Sequence, residues 1–173
     1  DALSAHYIAE YLISHPEKVN YTEQNCQYAA FRSINKHIKL QLKQQTQIIN
    51  ELKMLLYSSF PEMVCYCRSS VPVWVLEVLV KYPTASKLRN ISIEKLCKIR
   101  HVTADKAESL IKKSKTSVSS RSTDADGFLV ASLAGQLIEK QELIKKHKKY
   151  LEEHCKGAEV DLVQSIKGIG AYS

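Results

Sequence analysis

The chain has 173 residues, 45% of them hydrophobic, and carries a formal net charge of +7. That is enough apolar material for real cores in one ordinary domain or two small ones, and it excludes a disordered tail. Only 5 Gly and 4 Pro interrupt it. The rest is rich in good helix formers, so the expected fold class is all-α.

The positive charge points to an anionic partner, nucleic acid being the commonest for a basic protein, although a solvated basic surface has the same composition. Five cysteines, Cys26, Cys65, Cys67, Cys97 and Cys155, form an odd set at irregular spacing. They read as free thiols in a reducing compartment, with a cytoplasmic location expected. Cys65 and Cys67 stand too close together for the usual zinc knuckle. No apolar run approaches the roughly 20 residues of a membrane span, and no membrane partner is expected.

In chain order, residues 1–16 form a short helix stopped at His15-Pro16, the tail of an upstream domain. Residues 17–60 hold a long helix from Thr22, a plain N-cap candidate, to Phe60-Pro61. Within it Ile38, Leu42, Gln45, Ile49, Leu52 and Leu56 alternate by four and three, a coiled-coil seam with one polar member. Residues 61–115 read as a small helical subdomain. Val73 begins a helix that ends at Pro83, and Thr84, Ser92 and Thr103 stand where N-caps start the next ones. The last of these, 104–115, has Ala107, Leu110 and Ile111 on one face and Lys112, Lys113 and Lys115 at its C-terminal end. Those lysines suit the helix dipole with or without a ligand.

Residues 116–127, rich in Ser and Thr and containing Arg121, read as a mobile polar loop. Residues 128–157 form a second coiled-coil helix, since Val130, Leu137, Ile144 and Leu151 recur every seven positions while Leu133, Lys140, His147 and His154 lie between. The simplest partner is the first long helix, giving a coiled-coil helical hairpin with the subdomain inserted at its tip, within one chain or between copies. Residues 158–173 begin a new helix and reach Lys167-Gly168-Ile169-Gly170. There two glycines permit a tight turn whose N–H groups face a phosphate.

Four segments in this order resemble one family, the DEDD-type insertion-sequence transposases related to the Piv invertase, the insertion sequence one-ten group of bridge-RNA-guided recombinases. They are Asp1-Ala-x-x-Ala-x-x-Ile-Ala; Asn50-Glu-Leu-Lys-Met-Leu-Leu-Tyr-Ser-Ser-Phe-Pro-Glu62; Leu79-Val-Lys-Tyr-Pro-Thr84 with Leu88, Ile93 and Leu96; and Leu162-Val-Gln-Ser-Ile-Lys-Gly-Ile-Gly170. The family more often has Pro where Lys167 stands.

The resemblance implies a longer parent enzyme that cuts and exchanges DNA strands with Mg²⁺ held by four carboxylates. Asp1 corresponds to the fourth carboxylate and to a metal ligand in that parent. The other three would lie upstream and the family's nucleophilic serine downstream. No cofactor and no chemistry are expected of this segment by itself, and Ser173 is not that nucleophile. An opening Asp rather than Met fits the same expectation of an internal piece. Its expected work is homo-oligomerisation and holding DNA or a guide RNA.

Candidate nucleic-acid contacts are Lys112, Lys113, Lys115 and Arg121, the stripe Lys145, Lys146, Lys148 and Lys149, and the turn Lys167, Gly168 and Gly170, with Lys36, Lys39 and Lys43 a weaker face. A helix-hairpin-helix DNA-binding module over residues 99–115 and 165–173 is one competing reading, against which the first turn lacks glycines. The other is a structural coiled-coil adaptor whose charge only keeps it in solution.

Overall fold

A computed structural model describes residues 2–16, 23–119 and 123–154. Among them the chain is all-α, without a strand, and no helix is long and apolar enough to cross a membrane. The chain divides into two compact units, one made of Asp1–Lys36 with Gly157–Ser173, the other of His37–Lys156.

In the first unit, helix α1 spans Ala2–Ser14. It stops where expected: His15 N still donates to Tyr11 O at 3.0 Å, Ser14 Oγ donates to Glu10 O at 2.9 Å, and Pro16 follows. Helix α2 runs Glu23–Ser59, and its residues from His37 onward belong to the second unit.

The second unit holds the core. Helix α2 ends because Phe60 precedes Pro61: a residue before proline is driven out of the helical region, and Phe60 sits at φ −163°, ψ 73°. A 3₁₀ turn over Pro61–Tyr66 follows. Helix α3, Val73–Lys81, ends by the same rule at Tyr82, φ −133°, ψ 72°, before Pro83. Helices α4 (Ala85–Arg89), α5 (Ile93–Cys97) and α6 (Ala104–Lys115) start at Thr84, Ser92 and Thr103. Thr84 and Thr103 accept from the backbone N–H of Lys87 and Lys106, while Ser92 holds the cap position without that bond.

Helix α7 spans Asp124–His154. It begins inside the stretch expected to be loop, because Thr123 and Asp126 form a reciprocal cap. Thr123 N and Oγ1 each donate to Asp126 Oδ2 at 2.8 Å, and Asp126 N donates back to Thr123 Oγ1 at 3.2 Å. Gly127 therefore lies in the first turns of α7, close beneath Pro83 and Thr84.

The core forms where α3 packs on α7 and α6 packs on α4 and α5. Phe60, Met63, Leu76, Leu79, Leu88, Leu96, Leu110 and Leu137 are sealed from solvent there together with Leu52 and Leu56 of α2. Each such side chain contributes about 1.5–3 kcal/mol by leaving water.

All four heptad residues of α7, Val130, Leu137, Ile144 and Leu151, are buried, and Ala134 joins them. On α2, Ile38, Gln45, Ile49, Leu52 and Leu56 are buried, but Leu42 is not: it is 41% exposed, and Gln41, at 8%, takes its place. The reason is a partner on α7. Lys140 Nζ donates to Gln41 Oε1 and Gln44 Oε1, each at 2.8 Å, while Gln41 Nε2 lies 3.2 Å from His37 Nε2. One step along, His37 and His147 meet edge to face with centroids 5.1 Å apart. In these contacts rising numbers on α2 meet falling numbers on α7, so the two helices oppose each other in direction.

Candidate nucleic-acid interface

Helix α6 buries Ala107, Leu110 and Ser114, which turns its lysines away from the core. The helix ends in Lys112, Lys113 and Lys115. Arg89, from the end of α4, reaches the same place: its Nε and Nη2 donate to Ser114 O, each at 3.4 Å. Four cations thus surround the carbonyl end of one helix, where the dipole is negative and offsets part of their mutual repulsion.

The four are not equivalent. Lys112 and Lys115 are exposed and have no ion pair among the described residues. Lys113 is half-buried and engaged: its Nζ donates to the Tyr66 hydroxyl at 3.3 Å and stands 5.1 Å from the centre of that ring.

The loop that follows is held at its start rather than loose. Ser117 Oγ donates to Glu62 Oε2 at 2.6 Å and Val118 N donates to Glu62 Oε1 at 3.2 Å. At these two residues a carboxylate far away in sequence satisfies both donors. Arg121 lies outside the described residues, as do Asp1, Lys167, Gly168 and Gly170.

The stripe on α7 also splits. Lys145, Lys146 and Lys149 are exposed, and Lys149 pairs with Glu153 at 3.5 Å. Lys148 is half-buried, because its place on the helical wheel falls beside the buried Ile144 and Leu151. Such an exposed i,i+4 pair contributes only a few tenths of a kcal/mol, about 0.3–0.5, so Lys149 remains available to a phosphate. On α2, Lys36, Lys39 and Lys43 are all exposed.

Two further observations bear on the competing readings. The turn between α5 and α6 lacks a glycine, yet His101 adopts φ 65°, the left-handed conformation a glycine would normally take there. Lys106 Nζ donates to its carbonyl at 3.1 Å. The thiols behave as separate residues: Cys65 and Cys97 are exposed, while burial pushes the Cys67 thiol up to about 11. Among the described residues no three His, Cys, Asp or Glu side chains come together as metal ligands.

Sequence reasoning picked out Lys113 but missed its surroundings. Through the fold, Trp74 meets Lys106, Tyr66 meets Lys113, and Arg89 reaches the end of α6. Only the spacing of Lys106 and Lys113, two helical turns apart, was visible in advance as a shared face. Compared with family models, with curated proteins and with solved structures, the chain matches none.

Proposed function

We propose that this chain is the dimerisation and nucleic-acid-holding segment of a DNA transposase that moves an insertion sequence. In this reading α2 and α7 form a coiled-coil hairpin with the small helical subdomain at its tip. The parent's active site, with Mg²⁺ and Asp1 as one of its carboxylates, is completed by segments on either side. Nothing in this segment cuts DNA; it holds two catalytic subunits and their strands in register.

The observation that carries the reading is the gathering of Arg89, Lys112, Lys113 and Lys115 at the end of α6. Four cations from two helices at one point are an efficient trap for phosphates, because each neutralised phosphate releases counterions. The opposed contacts of α2 and α7 within the chain support the hairpin, and the dimerisation half rests on the resemblance.

The test is light-scattering mass and fluorescence anisotropy on the full chain with duplex DNA or a structured RNA at low and moderate salt. A dimer whose affinity falls steeply with salt is expected. Lys112→Gln with Lys115→Gln lowers the slope of log affinity against log salt by roughly two, about 0.9 per lost phosphate contact on a duplex. A monomer that binds neither nucleic acid overturns the proposal.

A second reading is favoured by His101: its left-handed φ puts in the α5–α6 turn one feature that a helix-hairpin-helix turn usually gets from glycine. A stand-alone DNA-binding module of that kind would bind duplex as a monomer, and the same mass measurement separates the two.

A further inference from the structure

Two lysines of α6 rest on aromatic rings instead of on carboxylates. Lys106 Nζ lies over Trp74, 5.1 Å from the ring centroid, and Lys113 Nζ lies over Tyr66 at the same distance. The rings meet edge to face, centroids 5.3 Å apart at 75°. Both are half-buried: they pack against the core cluster and keep the rest of their surface in solvent. Core packing fixes their orientation, so presenting them to a ligand costs little conformational entropy.

Beside Tyr66 the surface opens into a groove of about 430 Å³, lined by Cys65, Arg68, Ser69, Ser70 and Pro72 as well as by Tyr66 itself. Arg68, Ser69 and Ser70 are exposed. The groove brings Arg68 and two serine hydroxyls beside Tyr66, and Tyr66 in turn adjoins Trp74 and the two lysines.

Each component matches a part of a nucleotide. A nucleobase of any identity stacks on tyrosine or tryptophan, and a phosphate draws an ammonium more strongly than an exposed ring face does. Lys106 and Lys113 are then exchangeable: in the free protein they stand by the rings, Lys106 also donating to His101 O and Lys113 to the Tyr66 hydroxyl, and they move to phosphates when bases take the ring faces. Duplex DNA hides its base faces in the stack, so the rings select unpaired nucleotides. A peptide rich in carboxylates satisfies the cations and leaves the rings without a partner.

We infer that Tyr66, Trp74, Arg68, Lys106 and Lys113 form a stacking platform for an unpaired stretch of nucleic acid, with bases on the two rings and the sugar-phosphate backbone on the three cations. The inference rests on the reading of the chain as a nucleic-acid-holding segment and narrows it to a single strand at this place.

Trp74 is the only tryptophan of the chain, so its emission reports on the platform directly. The full chain is titrated with oligothymidylate, oligouridylate, a duplex of the same length, and polyglutamate. Both single strands are expected to quench Trp74, the stronger one identifying DNA or RNA as the preferred strand.

Lys106→Gln with Lys113→Gln weakens single-strand binding by about tenfold or more and lowers the salt slope by roughly 1.4, at about 0.7 per contact on a single strand. Tyr66→Leu costs about five- to tenfold through lost stacking, whereas Tyr66→Phe, which keeps the ring, retains binding. Helix content and thermal unfolding of the lysine double variant, which leaves the core untouched, serve as the folding control.

Single-strand binding that leaves Trp74 emission unchanged and ignores the lysine and tyrosine variants overturns the platform while preserving nucleic-acid binding elsewhere. Equal quenching by polyglutamate also overturns it, as a patch for polyanions in general. Absence of binding to every nucleic acid overturns both this inference and the proposed function.

Discussion

Around α3–α6 the buried side chains are almost all aliphatic or aromatic, and the buried hydroxyls there are satisfied locally: Ser114 Oγ donates to Ile111 O at 2.7 Å, and Thr84 caps its own helix. Where side chains of α2 and α7 meet, the interior is mixed. Lys140 of α7 donates to Gln41 and Gln44 of α2, His37 meets His147 edge to face, and His147 Nδ1 is buried without a hydrogen-bond partner. The first region is built for stability. The second gives up apolar burial for a layer of polar contacts, which ties the alignment of the two helices to matched hydrogen-bonding groups.

The contrast is broken most severely by Phe60→Ala. Phe60 is fully buried at the junction of α2 and the 3₁₀ turn, and its loss is expected to cost about 3–5 kcal/mol in urea unfolding.

Lys140→Ala tests the polar layer. It strips the donor from both Gln41 and Gln44 and costs about 1–3 kcal/mol. Combining Gln41→Leu with Lys140→Leu is expected to recover much of that loss while the oligomeric state becomes mixed, as measured by light scattering. Recovery with a single sharp mass would show that the polar layer does not set the alignment.

At the start of α7, Thr123→Ala removes the side-chain half of the cap for about 1 kcal/mol and keeps the backbone bond to Asp126. The same cap predicts a pH effect. Hydrogen bonds from the Thr123 backbone and side chain hold the Asp126 carboxyl below its usual range. Its contribution is therefore full above about pH 4 and disappears as acidification protonates it through that lowered value. Acid unfolding of Asp126→Asn, compared with the unaltered chain, should lack this component.

The smallest perturbation is chemical. Iodoacetamide at neutral pH is expected to label Cys65 and Cys97 well before Cys67, whose thiolate is suppressed by burial. Equal labelling would mean that the region around the 3₁₀ turn opens readily.

Much of the helical layout was legible in advance because it depends on local chemistry. Pro61 and Pro83 end α2 and α3, Thr84 and Thr103 cap α4 and α6, and α6 occupies the expected 104–115. The start of α7 was misread because Asp at the third helical position took the role more often given to Glu or Gln in a capping box, and Gly127 looked like loop. Of the candidate site, the basic end of α6 was readable as a run of lysines. The Glu62 latch on Ser117 and the rings beneath Lys106 and Lys113 were not, since each joins residues brought together only by packing.

The sequence by itself determined where helices begin and end and that the heptad of Val130, Leu137, Ile144 and Leu151 faces inward, because caps, prolines and a seven-residue repeat act within a few turns. Only the tertiary structure decided between Leu42 and Gln41. Successive helical residues are 100° apart, so both positions border the same buried sector, and hydrophobicity alone favours leucine. Lys140 on the opposing helix, needing an acceptor at that height, draws the glutamine in and leaves the leucine in water.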